Sequence, residues 1–119
     1  MTSTPARWAL LALRGLLTAA FLAAGLAKLA GVEMMVGTFD QIGWGQWFRY
    51  VTGIIEVGGA VLLWVPGLQA IAAAALLCTM VGAVIAHLTI LGPSAVPAII
   101  LGLLAAVTLW ADRTRVARP

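Results

Sequence analysis

Residues 57–86 carry no formal charge, and within residues 51–65 Glu56 is the only charged side chain. A tract of this kind does not suit the surface of a soluble domain, and it strongly limits what the chain can fold into. In hydrocarbon no water is available to the backbone, so its N–H and C=O groups must pair within a helix or around a closed barrel. Barrel strands alternate polar and apolar residues, and these runs do not. Helices remain. Of the whole chain, 63% is hydrophobic and only 9% is charged, against about 25% charged in a soluble domain.

Four segments are long enough to cross a hydrocarbon core of about 30 Å, which takes around 20 helical residues. They are residues 8–30, 47–65, 68–91 and 94–111. The expected fold class is an all-α membrane protein of one domain, residues 1–119. It is an antiparallel four-helix transmembrane bundle with a short interfacial segment between the first and second spans. Pro66-Gly67 and Gly92-Pro93 read as tight turns, and short links make sequential helices antiparallel neighbours. The longer link, residues 31–46, mixes Met34, Met35, Phe39, Ile42 and Trp44 with Glu33, Asp40 and Gln41. It reads as a short amphipathic helix over residues 33–41, followed by a Gly43-Trp44-Gly45 turn. The first span exceeds the roughly 7–15-residue apolar core of a signal peptide and is expected to be retained.

Orientation follows from charge and aromatics. Arg7 and Arg14 lie at the start, and Arg113, Arg115 and Arg118 at the end. The positive-inside rule then places both termini in the cytoplasm. Trp8, Trp64 and Trp110 are expected at the inner interface, and Trp44, Trp47 and Tyr50 at the outer one. Arg14 reads as a snorkelling cytoplasmic anchor.

Ionisable residues within such spans are costly, face a bundle interior or cavity, and mark functional sites by default. At 1.5 Å per residue, Lys28 lies roughly 4 Å and His87 roughly 6 Å below the outer ends of their spans. Glu56 lies roughly 10 Å deeper than Arg49. Arg49, Gly53 and Glu56 share one helix face by their i, i+4, i+7 spacing. The expectation is a single outer-leaflet polar pocket roofed by residues 33–47. Each residue also has a structural reading: an ion pair of Glu56 with Lys28 or Arg49 that fixes the bundle, a hydrogen-bonded His87 near a helix end, and snorkelling for Lys28 and Arg49.

Other classes are excluded or weakened. The formal net charge of +3 comes from Arg at the chain ends, with no clustered basic face for nucleic acid. No metal is expected, because one His and one Glu fall short of the usual four zinc ligands. Cys78 is the only cysteine, which excludes a disulfide within the chain and a CxxC pair; it reads as packing. Small residues repeat every fourth position at Gly15, Ala19 and Ala23, and at Ala98, Gly102 and Ala106, a pattern that lets helices approach closely in lipid. These faces of spans one and four also suit a homo-oligomer.

In order along the chain come Arg14-Gly15-Leu16-Leu17, Gly25-Leu26-Ala27-Lys28-Leu29, Gly53-Ile54-Ile55-Glu56 with Gly58-Gly59-Ala60, and Ala83-Val84-Ile85-Ala86-His87. This set resembles the DoxX-like family of small four-span bacterial membrane proteins over about residues 10–112. Lys28, Glu56 and His87 match the family's polar positions, and Arg49 matches more loosely. The resemblance implies a multi-pass protein of the bacterial cytoplasmic membrane. Some relatives are linked to thiosulfate:quinone oxidoreductases or to redox maturation of partners, and eukaryotic relatives act as assembly or cargo factors.

The leading functional expectation is a quinone-linked membrane protein. A quinone head group would enter from lipid, with His87 bonding a carbonyl and Glu56 exchanging a proton, the two catalytic candidates. The ligand-binding candidates are Lys28, Arg49, Glu56, His87, Trp44 and Trp47, with Trp44, Trp47 and Phe48 at the entrance. Electrons would come from a membrane or peripheral redox partner protein, so at most the chain is an oxidoreductase subunit. The alternative is an assembly or interaction subunit whose polar cluster is structural. A third reading, a small proton-coupled transporter or channel, is weaker, because no polar residues are seen to continue a path below Glu56.

Overall fold

A computed structural model describes residues 4–92 and 94–113. Among these it is all-helical: α1 (Thr4–Ala30), α2 (Glu33–Ile42), α3 (Trp47–Leu62), α4 (Gln69–Ala86), a π-helical turn (His87–Leu91) and α5 (Val96–Asp112). Two helices are long and apolar enough to cross a membrane, Pro5–Ala30 and Gln69–Leu91, and Val96–Asp112 is a shorter apolar one. Pro93, Arg115 and Arg118 lie outside the described residues.

Local chemistry sets the boundaries. α1 stops at Gly31, whose positive φ of 72° suits a residue without Cβ. The N–H groups of Gly31 and Val32 both return to Ala27 O, at 3.1 and 3.2 Å, which satisfies carbonyls at the helix end. α2 follows at once, with Glu33 in its first turn, where a carboxylate is favoured by the helix dipole. It ends where the Gly43 N–H bonds Phe39 O. α3 ends earlier than the expected residue 65. Trp64 and Val65 donate to Val61 O and Leu62 O, three residues back, so the last turn tightens ahead of Pro66. Proline disfavours helical geometry in the residue before it. At 16 residues, α3 covers about 24 Å. α5 opens with Ser94 Oγ accepting from the Val96 N–H at 3.1 Å.

Packing is mainly α1 on α3 and α4 on α5, with α3 on α4 joining the two pairs. The α1–α3 crossing is close because two glycines meet. A Cβ on Gly25 would lie 3.0 Å from Gly53 O and 2.7 Å from Val57 Cγ2. Leu76 likewise packs onto Gly59, where a Cβ would lie 2.8 Å from Leu76 Cδ2. Leu17, Phe21, Leu63 and Leu76 are fully buried between the helices.

The distribution of polarity is the reverse of a soluble protein's. Leu16, Leu26, Ile54, Val61, Ile71, Val81, Ile85, Leu103 and Val107 are exposed, while Arg14, Arg49, Glu56, Gln69, Thr108 and Asp112 are buried. Contiguous exposed apolar surface on helix flanks marks contact with lipid or protein. Exposed Trp8, Trp64 and Trp110 lie toward the Arg14–Asp112 end, and exposed Trp44, Trp47 and Tyr50 toward the end where α1 meets α2.

Candidate functional site: a side cavity over a buried ion pair

Among the described residues two ion pairs are buried, one toward each end of the bundle. In the first, Lys28 Nζ lies 2.7 Å from Glu56 Oε1, and the Glu56 side chain is only 1% exposed. The Gly25–Gly53 crossing makes this contact. It brings the α1 and α3 backbones together one turn from Lys28 and one turn from Glu56, so the ammonium reaches the carboxylate directly.

Beyond the Gly59–Leu76 contact, toward the start of α3 and the end of α4, the two helices line a cavity of about 830 Å³. Lys28, Glu56 and His87 all line it, from three different elements. α2 forms its roof through Met34, Met35, Thr38, Phe39 and Ile42, and Trp44 and Phe48 complete that side. The remaining wall is mainly apolar. Its threonines turn their hydroxyl protons to their own helices: Thr38 to Met34 O, Thr52 to Phe48 O, Thr79 to Leu76 O and Thr89 to Ile85 O. The cavity's cationic and carboxyl chemistry is therefore concentrated at Lys28, Glu56 and His87. His87 opens the π-turn, where the Gly92 N–H bonds His87 O at 3.1 Å. Such turns inside helices often occur at functional sites.

Arg49 and Trp47 do not line the cavity, contrary to expectation. Arg49 is buried on the Glu56 face of α3, but its guanidinium turns toward the roof. Nη1 donates to Lys28 O, Nε donates to Gln46 Oε1 at 2.7 Å, and the group stacks on Tyr50 at 4.3 Å. Gln46 Nε2 in turn bonds Val36 O at 3.0 Å and Asp40 Oδ1 at 2.8 Å, both on α2. Arg49 thus fastens the roof helix to the end of α1. Trp47 is exposed and packs on Phe48 at 5.6 Å, while Trp44 packs on the same ring at 5.1 Å and does line the cavity.

The other end carries an ion pair that sequence reasoning missed. Arg14 Nη2 lies 3.2 Å from Asp112 Oδ2, with Asp112 1% exposed. Arg14 is 8% exposed, so it does not snorkel. Its guanidinium also sits 5.7 Å from the Trp64 ring, whose Nε1 donates to Thr18 Oγ1 at 2.8 Å. The one signal in the sequence was that Arg14 and Asp112 carry opposite charges near the start of the first span and the end of the last. The Arg14–Asp112 half of the bundle is therefore not devoid of polar residues. A transport path is interrupted differently, by the packed side chains of Leu17, Phe21, Leu63 and Leu76 between the two ion pairs.

Among the described residues no group of three or more His, Cys, Asp or Glu is placed to hold a metal. Cys78 is exposed and lines the cavity wall rather than packing in the core.

Charged groups paired inside, apolar side chains outside and a cavity open at the flank define a small helical membrane protein. The chain belongs to the DoxX-like family, whose profile matches residues 12–111. Comparison with curated proteins and with solved structures gave no match.

Proposed function

We infer that this protein binds a quinone head group in the cavity above the Lys28–Glu56 pair and supports membrane redox chemistry with a partner. The observation that carries the reading is the convergence of Lys28, Glu56 and His87 on one mainly apolar cavity roofed by an amphipathic helix. At about 830 Å³, the cavity lies within the roughly 300–1,000 Å³ of small-molecule sites. Its donors suit a ring with two carbonyl acceptors. The Lys28 ammonium carries three N–H groups, so its contact with Glu56 leaves donors over, and the His87 ring supplies a further polar contact on another wall. A quinone bound there would supply two-electron, two-proton carrier chemistry.

The residues divide the work by position. Glu56 exchanges a proton with the ring at its carboxylate, next to the Lys28 ammonium. His87 orients a carbonyl from the π-turn. Trp44, Phe39 and Phe48 exclude water above. Arg49 acts on the roof rather than on the ligand. In this reading electrons come from a membrane or peripheral partner protein.

In this reading the molecule spans the bacterial cytoplasmic membrane four times, through α1, α3, α4 with its π-turn, and α5. Both termini lie in the cytoplasm and α2 lies at the outer interface. The long dimension of 46 Å agrees with a bilayer of roughly 40–45 Å including headgroups.

A second reading draws on the same ion pair. Lys28–Glu56 is closed at 2.7 Å beside the Gly25–Gly53 crossing, an arrangement that also serves to fix α1 against α3 in an assembly or interaction subunit. Titration calorimetry with a short-chain ubiquinone separates the two. Saturable binding lost in Glu56→Gln and His87→Ala supports the quinone site. Absence of binding in the folded wild type supports the structural role.

A further inference from the structure

Resting on the reading of this cavity as a quinone site, we propose that it is built for a lipid-soluble molecule with a hydrocarbon tail. Gly82 is the residue that sets this specificity, by keeping space for the tail between α3 and α4.

Size is the first argument. An apolar cavity of about 150 Å³ suffices for a benzene ring, and this one measures about 830 Å³. A ring and its substituents leave most of the volume over. The position of the opening points the same way. Glu56 at the inner wall and Phe39 in the roof are buried, whereas Val51 and Ile55 on α3 and Cys78, Gly82 and Ile85 on α4 are exposed at the mouth. These are helix flanks, the surfaces that face hydrocarbon, so a tail leaving the cavity meets lipid.

Gly82 supplies the third argument. Gly25, Gly53 and Gly59 are each pressed by a neighbouring helix, and a Cβ there would lie 2.7, 3.0 and 2.8 Å from its nearest atom. Around a Cβ on Gly82 there is nothing within 4 Å. Helix packing therefore does not require glycine at this position, although glycine costs roughly 1 kcal/mol against alanine within a helix. Its effect is to leave the α4 wall of the mouth without a side chain. Gly58 on α3 is equally unobstructed but does not line the cavity, which makes it the matched control.

The test is native mass spectrometry of the full chain, titrated with a benzoquinone bearing a decyl tail, the same benzoquinone without it, and dodecanol. Gly82→Leu is expected to fold, since the added side chain points into open space. It should weaken the tailed quinone by about tenfold or more, the change that two displaced methylenes produce. Binding of the tail-less quinone should be unchanged, and Gly58→Leu should bind all three like wild type. Equal losses for both quinones, or no loss for the tailed one, would overturn the proposal. If neither quinone binds wild type, the quinone reading fails and dodecanol decides the tail. Dodecanol bound by wild type and lost in Gly82→Leu sustains the tail site. Dodecanol unbound by wild type overturns it as well.

Discussion

Removing Lys28 alone should destabilise this protein more than removing the whole Lys28–Glu56 pair. At 2.7 Å, Coulomb's law with an effective dielectric constant of about 20 gives roughly 6 kcal/mol of attraction. Taking the two ions out of water costs several kcal/mol each, so the intact pair is close to neutral for stability. What does not cancel is the penalty of leaving one ion buried without the other, about 3–5 kcal/mol. The two single variants should differ in degree. The Glu56 side chain is short and 1% exposed, whereas that of Lys28 is 12% exposed and its long stem can carry the ammonium outward. Lys28→Met is therefore expected at the upper end of that range and Glu56→Gln at the lower end. Lys28→Met/Glu56→Gln together should fall to about 1–3 kcal/mol, because no unpaired ion is left and what remains is the cost of a buried amide without its partner. The assay is SDS-induced unfolding in mixed micelles, followed by far-UV circular dichroism. Single variants that both stay within about 1 kcal/mol of wild type, or a double variant as costly as the sum of the singles, would refute the reasoning.

Other perturbations address other parts of the fold. Gly25→Ala pushes a methyl against Gly53 O and Val57 and should cost about 1–3 kcal/mol, seen as a lower thermal midpoint, whereas Gly58→Ala, with open space around it, should cost nothing. Asp112→Asn leaves the buried Arg14 without its counter-charge and should cost about 3 kcal/mol or more in the same unfolding assay, with Arg14→Gln/Asp112→Asn recovering much of it. Arg49→Met removes the link from Gln46 to the end of α1. Hydrogen exchange by mass spectrometry should then speed up in α2 while α4 is unchanged; equal protection of α2 in both proteins would contradict the role given to Arg49.

Much of the fold is legible because lipid leaves the backbone few choices. The apolar runs mark the helices, and Gly31, Gly43 and Pro66 mark where they stop. α2 runs one residue past the expected 33–41. Helical rise places Lys28, Arg49, Glu56 and His87 in the same half of the bundle, and Lys28, Glu56 and His87 do line one cavity. Helical spacing gives the face a residue occupies but not the direction in which a long side chain leaves it. Arg49 shares a face with Glu56, yet its guanidinium turns to the carbonyl of Lys28 at the end of α1 and to Gln46. Trp47 illustrates the same limit, since its ring packs beside Phe48 on the outside. The Arg14–Asp112 pair was hidden for another reason. Its partners are 98 positions apart, and sequence alone does not state that the first and last helices touch at that level. The size of the cavity was likewise not readable, because it depends on where α3 and α4 separate beyond Gly59 and Leu76.

The most direct test of the central claim is untargeted mass spectrometry of small molecules retained by the gently purified protein, with Glu56→Gln and His87→Ala beside it. A quinone in wild type, absent from both folded variants, is the expected result. Wild type free of any such molecule, with the two variants differing only in stability, would contradict the claim and leave the ion pair as a structural fastening.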